Sequence, residues 1–547
     1  MKLQTPFLNL LLASLGHGSA LPNVEAPPQH EELIQRSSPL NSSTLEWGPC
    51  KLNTTFVGDK AAFDCSRLRV PLDYTRVDSG SAAMLDLLRI RGTNKPFKGS
   101  ILFNPGGPGD SGIDSVAALG HKLQNITGGH YDIITFDTRG TPRTIPFYCN
   151  MKDPASLTRR APNPIPQTDN WEEFRDTVWK QGGEVADACY DTGYDNGRYI
   201  GTAFAARDML SIVDALDQGP KLNYWGTSYG TVLGQVFVSM FPDRVGRIML
   251  DANLLADNYL TGSWIGSTND AEKALLHILG GCAEAGPSEC PLAGFGGKNN
   301  TGEDLSNAFS EALKGEVGEV LPEDGDTGEN VVFALKAGIK EYLYHPKDYG
   351  VIIKMVEASL NGNFTEAVGL AGFTSAASLS PPPPSSSEKT NLALLGTSCG
   401  DSSFRAADAD DLHSLYRAQL SESVFGDVTM AQQLYCARWK FSAVEQVDTN
   451  KLRNIRTSTP VLVVSGKYDP VTPLGQGWEV SSRLRKSRLV VHGGAGHSLL
   501  NHPSNCTNEA IRKYFTDGEM PKIGTTCEPD LPLFEYMASL ANQTSKD

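Results

Sequence analysis

The 547-residue sequence lacks a second long apolar run, a CxxC pair, a basic stripe and the G-K-[ST] ending of a phosphate loop. After the first twenty residues nothing approaches the ~18 consecutive apolar residues that a membrane-spanning helix needs, so a membrane span is excluded. Lysine and arginine number 48 against 63 aspartates and glutamates, a formal net charge of −15. A nucleic-acid partner is excluded with it, because a phosphate-binding face needs clustered cations. Without CxxC there is no thioredoxin-type or zinc-ribbon spacing, and no metal or organic cofactor is called for. Without G-K-[ST] or dinucleotide spacing, the glycine-rich stretch at 103–112 is not a nucleotide cradle.

What is present begins with "MKLQTPFLNLLLASLGHGSA". Lys2, the apolar stretch Phe7–Leu15 and the small residues Gly18, Ser19 and Ala20 form a secretory signal peptide over residues 1–20. An oxidising route then favours pairing of the ten cysteines. Proximity suggests Cys50 with Cys65, Cys149 with Cys189, Cys282 with Cys290, Cys399 with Cys436 and Cys506 with Cys527, a connectivity that spacing alone does not decide. Seven N-x-S/T sequons, at Asn41, Asn53, Asn125, Asn299, Asn363, Asn505 and Asn542, agree with a secreted, extracellular glycoprotein.

Residues 21–45 are polar, proline-containing and aperiodic, and read as a flexible arm or propeptide. Over 46–257, apolar runs such as "GSILFNPGG", "YDIITFDTRG" and "VGRIMLDAN" alternate with amphipathic stretches such as "TAFAARDMLSIVDALDQG". That rhythm predicts an α/β fold, a mostly parallel sheet with helices on both faces. It breaks at 258–455, which is mainly helical in pattern and contains the Pro/Ser-rich loop 378–390. Alternation returns at 456–535 with "PVLVVSGKYD" and "SRLVVHGGAGH", so a distant segment completes the same sheet and the insertion lies over its edge as a cap. Residues 536–547 read as a tail.

"YWGTSYGTVLG", residues 224–234, places Ser228 between Gly226 and Gly230, the spacing of a strand-to-helix nucleophile elbow. A serine hydroxyl attacks only with a base beside it, itself held in one tautomer by an acid. His497, in "GGAGH" after a strand-like run, is the candidate base in preference to His492 and His502. Asp469 closes "VLVVSGKYD" at the carboxyl edge of the sheet and is the candidate acid. Asp251, ending "RIMLDAN", is its rival, and Asp137, ending "IITFD", is a third. The chain order Ser, Asp, His is that of an α/β-hydrolase. The glycine loop "FNPGGPGDSG" and the residue after the nucleophile supply oxyanion donors, for which the amides of Gly107 and Tyr229 are the candidates.

Together with these, "CSRLRVPLDY", "NPGGPGDSG", "FDTRGTPRT", "GTSYGT", "FPDRVGRIMLD", "CARW", "YDPVTP" and "GGAGH" span about residues 45–530. The set resembles the secreted tripeptidyl-aminopeptidase-like serine hydrolases of the prolyl-iminopeptidase group, α/β-hydrolases with a TAP-like C-terminal region. The resemblance implies Ser228, Asp469 and His497 as a catalytic triad and Gly107 with Tyr229 as the oxyanion hole. It also implies a peptide substrate with a free N-terminus, blocked by the cap. Pro142, Ala252 and Asp110 depart from the family's glycines, which bears on substrate preference. A substrate ammonium needs carboxylates, and Asp110 and the cap acid Glu272 are candidates. A secreted esterase or lipase-like enzyme with the same triad is the second reading, because fold does not determine substrate. A catalytically silent binding protein is the third, and the presence of every triad member argues against it.

Overall fold

The computed structural model describes residues 45–149, 171–316, 328–372 and 390–544. The signal peptide, the arm up to residue 44, Asn41 and the Pro/Ser-rich loop up to residue 389 lie outside the described residues. In chain order the strands are β1 (Gly48–Pro49), β2 (Phe63–Pro71), β3 (Ala82–Ile90), β4 (Ser100–Asn104), β5 (Asp132–Phe136), β6 (Tyr148–Cys149), β7 (Leu222–Thr227), β8 (Val245–Asp251), β9 (Thr390–Asn391), β10 (Leu462–Tyr468), β11 (Arg488–Ala495) and β12 (Thr526–Cys527). Ten form one sheet in the order β1-β2-β3-β5-β4-β7-β8-β10-β11-β12. The pairs β1/β2, β2/β3 and β3/β5 are antiparallel, and every pair from β5/β4 to β11/β12 is parallel.

Every residue of β4 and β5 is buried, as expected of central strands covered on both faces. Helices Gly112–Thr127 and Asn505–Asp517 cover one face, where Val116, Ile511 and Phe515 share a core with Ile101, Phe103 and Val464. Helices Thr202–Leu216, Tyr229–Met240 and Leu474–Arg483 cover the other, where Met209, Val236 and Val480 pack with Leu102, Tyr224 and Val463. The first pair of helices is delimited by serine caps and left-handed glycines. Ser111 and Ser504 cap their N-termini through side-chain bonds to Asp114 and Thr507, and both chains turn out at left-handed glycines, Gly128 and Gly518. The mostly parallel sheet covered on both faces that the strand and helix rhythm predicts is the one observed, as the α/β-hydrolase fold implied by the resemblance requires.

A third apolar cluster forms the cap, and it draws in residues from within 46–257 as well as from 258–455. Phe147, Phe174, Val185 and Cys189 belong to this cluster, although 46–257 reads as core throughout. Helix Trp179–Gly197 packs on helix Met430–Arg438, and β6 pairs with β9, so the chain leaves the sheet twice to build the cap. The first excursion escapes notice because its helix is amphipathic like those on the sheet, and periodicity does not say which apolar surface a helix covers. The 536–547 tail is likewise replaced by helix Leu533–Thr544, whose Leu533, Phe534 and Met537 pack into the cap.

All five disulfides join the pairs suggested by proximity: Cys50–Cys65, Cys149–Cys189, Cys282–Cys290, Cys399–Cys436 and Cys506–Cys527. Three of them lie in the cap: Cys149–Cys189 within the first excursion, Cys282–Cys290 at the end of helix Ala271–Ala285, and Cys399–Cys436 between helices Ala393–Asp401 and Met430–Arg438. Asn53, Asn125, Asn299, Asn363 and Asn505 are exposed, and Asn542 lies in the last helix. No helix among the described residues is long and apolar enough to cross a membrane.

Candidate active site

Ser228 stands between β7 and helix Tyr229–Met240 with φ 56° and ψ −125°, a conformation that L-residues rarely adopt. Its flanking glycines are demanded by close approach. A Cβ on Gly226 would lie 2.3 Å from the Gly230 carbonyl oxygen, and one on Gly230 would lie 2.7 Å from that of Asn104. The strained turn is held from both sides, as the Ser228 amide donates to the Asp251 carbonyl at 3.1 Å and the Thr231 amide donates to the Ser228 carbonyl at 2.8 Å. The serine side chain is left partly accessible, and its hydroxyl forms no hydrogen bond among the described residues.

His497 lies just beyond the end of β11, and its Nδ1 meets Asp469 Oδ2 at 2.9 Å and Oδ1 at 3.1 Å. Asp469 is fully buried and is fixed by donors from its own turn. The amides of Val471 (3.0 Å) and Thr472 (2.8 Å) donate to Oδ1, and the Thr472 hydroxyl donates to Oδ2 at 2.7 Å. Burial alone would push this carboxyl up, but the charge and hydrogen bond of His497 and those two amides hold it below the usual carboxylate range. Burial likewise disfavours imidazolium, yet Asp469 outweighs it and the His497 pKa is raised. His497 Nε2 is buried without a partner among the described residues, the state required of a base waiting for a hydroxyl.

The rival acids have other duties. Asp251 accepts the Ser498 hydroxyl at 2.6 Å and the Leu499 amide at 3.2 Å, and burial pushes its carboxyl up to about 6. Asp137 accepts from Ser111 at 2.8 Å and the Ile113 amide at 3.1 Å, and pairs with Arg143. His492 is bonded through both nitrogens, to Thr507 Oγ1 and to the carbonyl of His502, and burial pushes it down to about 4. His502 is held between the Ala495 amide and the Leu531 carbonyl.

On the glycine loop after β4, Gly106 touches the elbow: a Cβ there would lie 2.9 Å from Ser228 Cβ and 3.1 Å from the Tyr229 nitrogen. That intimacy was not legible, because the motif offers several glycines and only the folded loop chooses among them. The Gly106 amide is spent on Asn104 Oδ1 at 3.1 Å. The amides of Gly107 and Tyr229 form no hydrogen bond among the described residues, as oxyanion donors should not.

The cap closes over this edge of the sheet. The His497 amide donates to the Tyr344 carbonyl at 2.9 Å, and the Tyr344 ring meets the imidazole edge-on at 5.2 Å between centroids. Sequence reasoning missed Tyr344, which no motif flags, and Thr472, whose place three residues after Asp469 is the recognisable signature of an Asx-type turn. Of the two candidate amine partners only Asp110 reaches the site, where it feels His497. Glu272 is half-buried within the cap, bonded to Ser423 and the Val424 backbone. Ala252, at a position where the resemblance implies glycine, holds φ 58°, so the left-handed turn persists here with a strained alanine.

Residues 99–276 match the α/β hydrolase fold family, and residues 422–527 match the TAP-like protein family. Serine protease Hip1 of Mycobacterium tuberculosis is 27% identical over 510 residues, covering 90% of this chain and 92% of its own length. Tripeptidyl aminopeptidase of Streptomyces lividans is 26% identical over 515 residues, 89% of this chain and 87% of its own. Carboxylesterase B of Mycobacterium tuberculosis is 25% identical over 513 residues, 90% and 91% respectively.

Proposed function

The chain belongs to the α/β hydrolases with a TAP-like C-terminal part, and from that premise we propose that it is a secreted serine exopeptidase releasing a short N-terminal segment of a peptide through an acyl-enzyme on Ser228. One observation carries the reading. His497 is bonded through Nδ1 to a buried carboxylate and presents an unpartnered Nε2 in a site that also holds a strained serine. The Ser228 hydroxyl attacks the scissile carbonyl and passes its proton to His497 Nε2. Asp469 keeps the imidazole in the Nδ1–H tautomer and balances the imidazolium. The amides of Gly107 and Tyr229 receive the oxyanion, His497 returns the proton to the leaving amine, and water resolves the acyl-enzyme by the same route.

The names of two relatives, a serine protease and a tripeptidyl aminopeptidase, support the peptidase side of this reading. Secretion is supported by the signal-peptide pattern at 1–20 and by five disulfides, which persist in oxidising compartments. A carboxylic ester hydrolase is the second reading, favoured by the carboxylesterase that aligns over the same length. The deciding experiment offers the purified protein matched p-nitroanilides and p-nitrophenyl esters of short peptides, with fluorophosphonate labelling to count active sites. Cleavage of the anilides supports the exopeptidase. Ester turnover with inert anilides, at full labelling of Ser228, supports the esterase.

A further inference from the structure

The glycine loop after β4 carries one charged side chain before its helix begins, Asp110. Its neighbours Gly106, Gly107 and Gly109 all have positive φ, which coils the loop back on itself. As a result a Cβ on Gly107 would lie 3.3 Å from the Asp110 carboxyl carbon. The carboxylate thus stands against the glycine whose amide is the proposed oxyanion donor. It is exposed and forms no hydrogen bond or ion pair among the described residues. Lys340 of the cap, whose charge acts on His497, lies over the Tyr344 ring at 5.9 Å. An exposed aspartate carboxyl is ionised at pH 7.

An unpaired negative charge there opposes catalysis. A like charge beside a forming oxyanion raises the barrier by Coulomb repulsion and slows the reaction. A substrate that brings its own cation removes that penalty, whereas a neutral acyl group does not. Reach sets where the cation must be. Each extended residue adds about 3.5 Å, so the ammonium of a tripeptide would lie roughly 7–10 Å from the scissile carbonyl, and that of a single residue lies next to it.

Resting on the exopeptidase reading but narrowing its released segment to a single residue, we propose that Asp110 is a specificity-determining residue that receives the α-ammonium of the residue whose carbonyl is attacked, so that one amino acid is released at a time and neutral acyl groups are rejected at the oxyanion hole. Acetylated substrates are then refused by repulsion as well as by a lost contact. This second component separates the assignment from a merely structural role, because deleting the charge should make a blocked substrate better.

The test measures kcat/KM of the full secreted protein and of Asp110→Asn and Asp110→Ala on the p-nitroanilides of alanine, trialanine, N-acetylalanine and N-acetyllysine, with Tm as a check on folding. The wild type should prefer alanine over N-acetylalanine anilide by at least ~30-fold. Both variants should collapse that ratio, losing on the free substrate and gaining about 10-fold or more on the acetylated one. Three results overturn the proposal: a ratio unchanged in both variants, a wild-type preference for trialanine, or a selective loss on N-acetyllysine, which would assign Asp110 to a basic side chain. If no anilide is cleaved while esters are, the exopeptidase reading itself fails. Asp110 is then judged on free and N-acetylated alanine methyl esters, where equal wild-type rates reject it.

Discussion

The backbone carbonyl of Asp251 accepts the Ser228 amide hydrogen at 3.1 Å, while the carboxylate of the same Asp251 accepts the Ser498 hydroxyl at 2.6 Å. One residue therefore braces the nucleophile's turn against the histidine's loop without touching the imidazole. Asp469→Asn should keep the geometry but favour the wrong tautomer of His497, lowering kcat by roughly 10⁴. Asp251→Asn should lower Tm by several degrees and reduce kcat far less. Kinetics and melting of the two variants side by side check the assignment, and a reversed ranking moves the acid to the end of β8.

Ser228→Ala removes the attacking group while deleting one partly exposed hydroxyl that no hydrogen bond uses among the described residues. Turnover should fall on the order of 10⁶-fold if the three side chains act as a unit. Folding should survive, and the alanine, freed of no turn contacts, should still occupy the positive-φ site. Circular dichroism together with activity tests this. Near-normal turnover by a folded variant would falsify the serine-hydrolase reading.

His497 works as a base only when neutral, and its pKa is raised above the ordinary 6.5 of histidine, with Asp469 outweighing burial. The acid limb of kcat/KM should therefore have its midpoint above 6.5. The sign for stability is opposite. A raised histidine pKa contributes stability that is complete below the unfolded value and lost as pH rises through the folded one, so the His497–Asp469 contribution fades as activity appears. In Asp469→Asn, burial acts without the carboxylate and the limb should shift to lower pH. A pH–rate profile of both proteins measures this, and an unshifted limb argues that another group is titrating.

Cys149–Cys189 closes 40 residues and Cys282–Cys290 only 8. In the chain-entropy model these correspond to about 4 and about 2.5 kcal/mol. Replacing the first pair by serines should lower Tm more than replacing the second, and should loosen the excursion that carries Phe147 and Phe174 into the cap. Non-reducing peptide mapping should find all five bridges, and thermal melts of the two double variants should rank as stated.

Much of this protein is determined locally. The sheet's order of apolar runs, the elbow around Ser228 and the strand-end positions of Asp251 and Asp469 all follow from short-range patterns, because strand burial and tight turns are set by residues close in sequence. The choice between Asp251 and Asp469 is not of that kind. Both end parallel strands, β8 and β10, that are neighbours in the sheet, and only the register of β10 against β11 and the turn Val471–Thr472 aims one carboxylate at His497. The same holds for the first excursion into the cap and for Tyr344 against the imidazole, contacts made between segments more than 100 residues apart. Periodicity reports that a side chain is buried, not against what, and a site assembled from five strand ends is decided by that second fact.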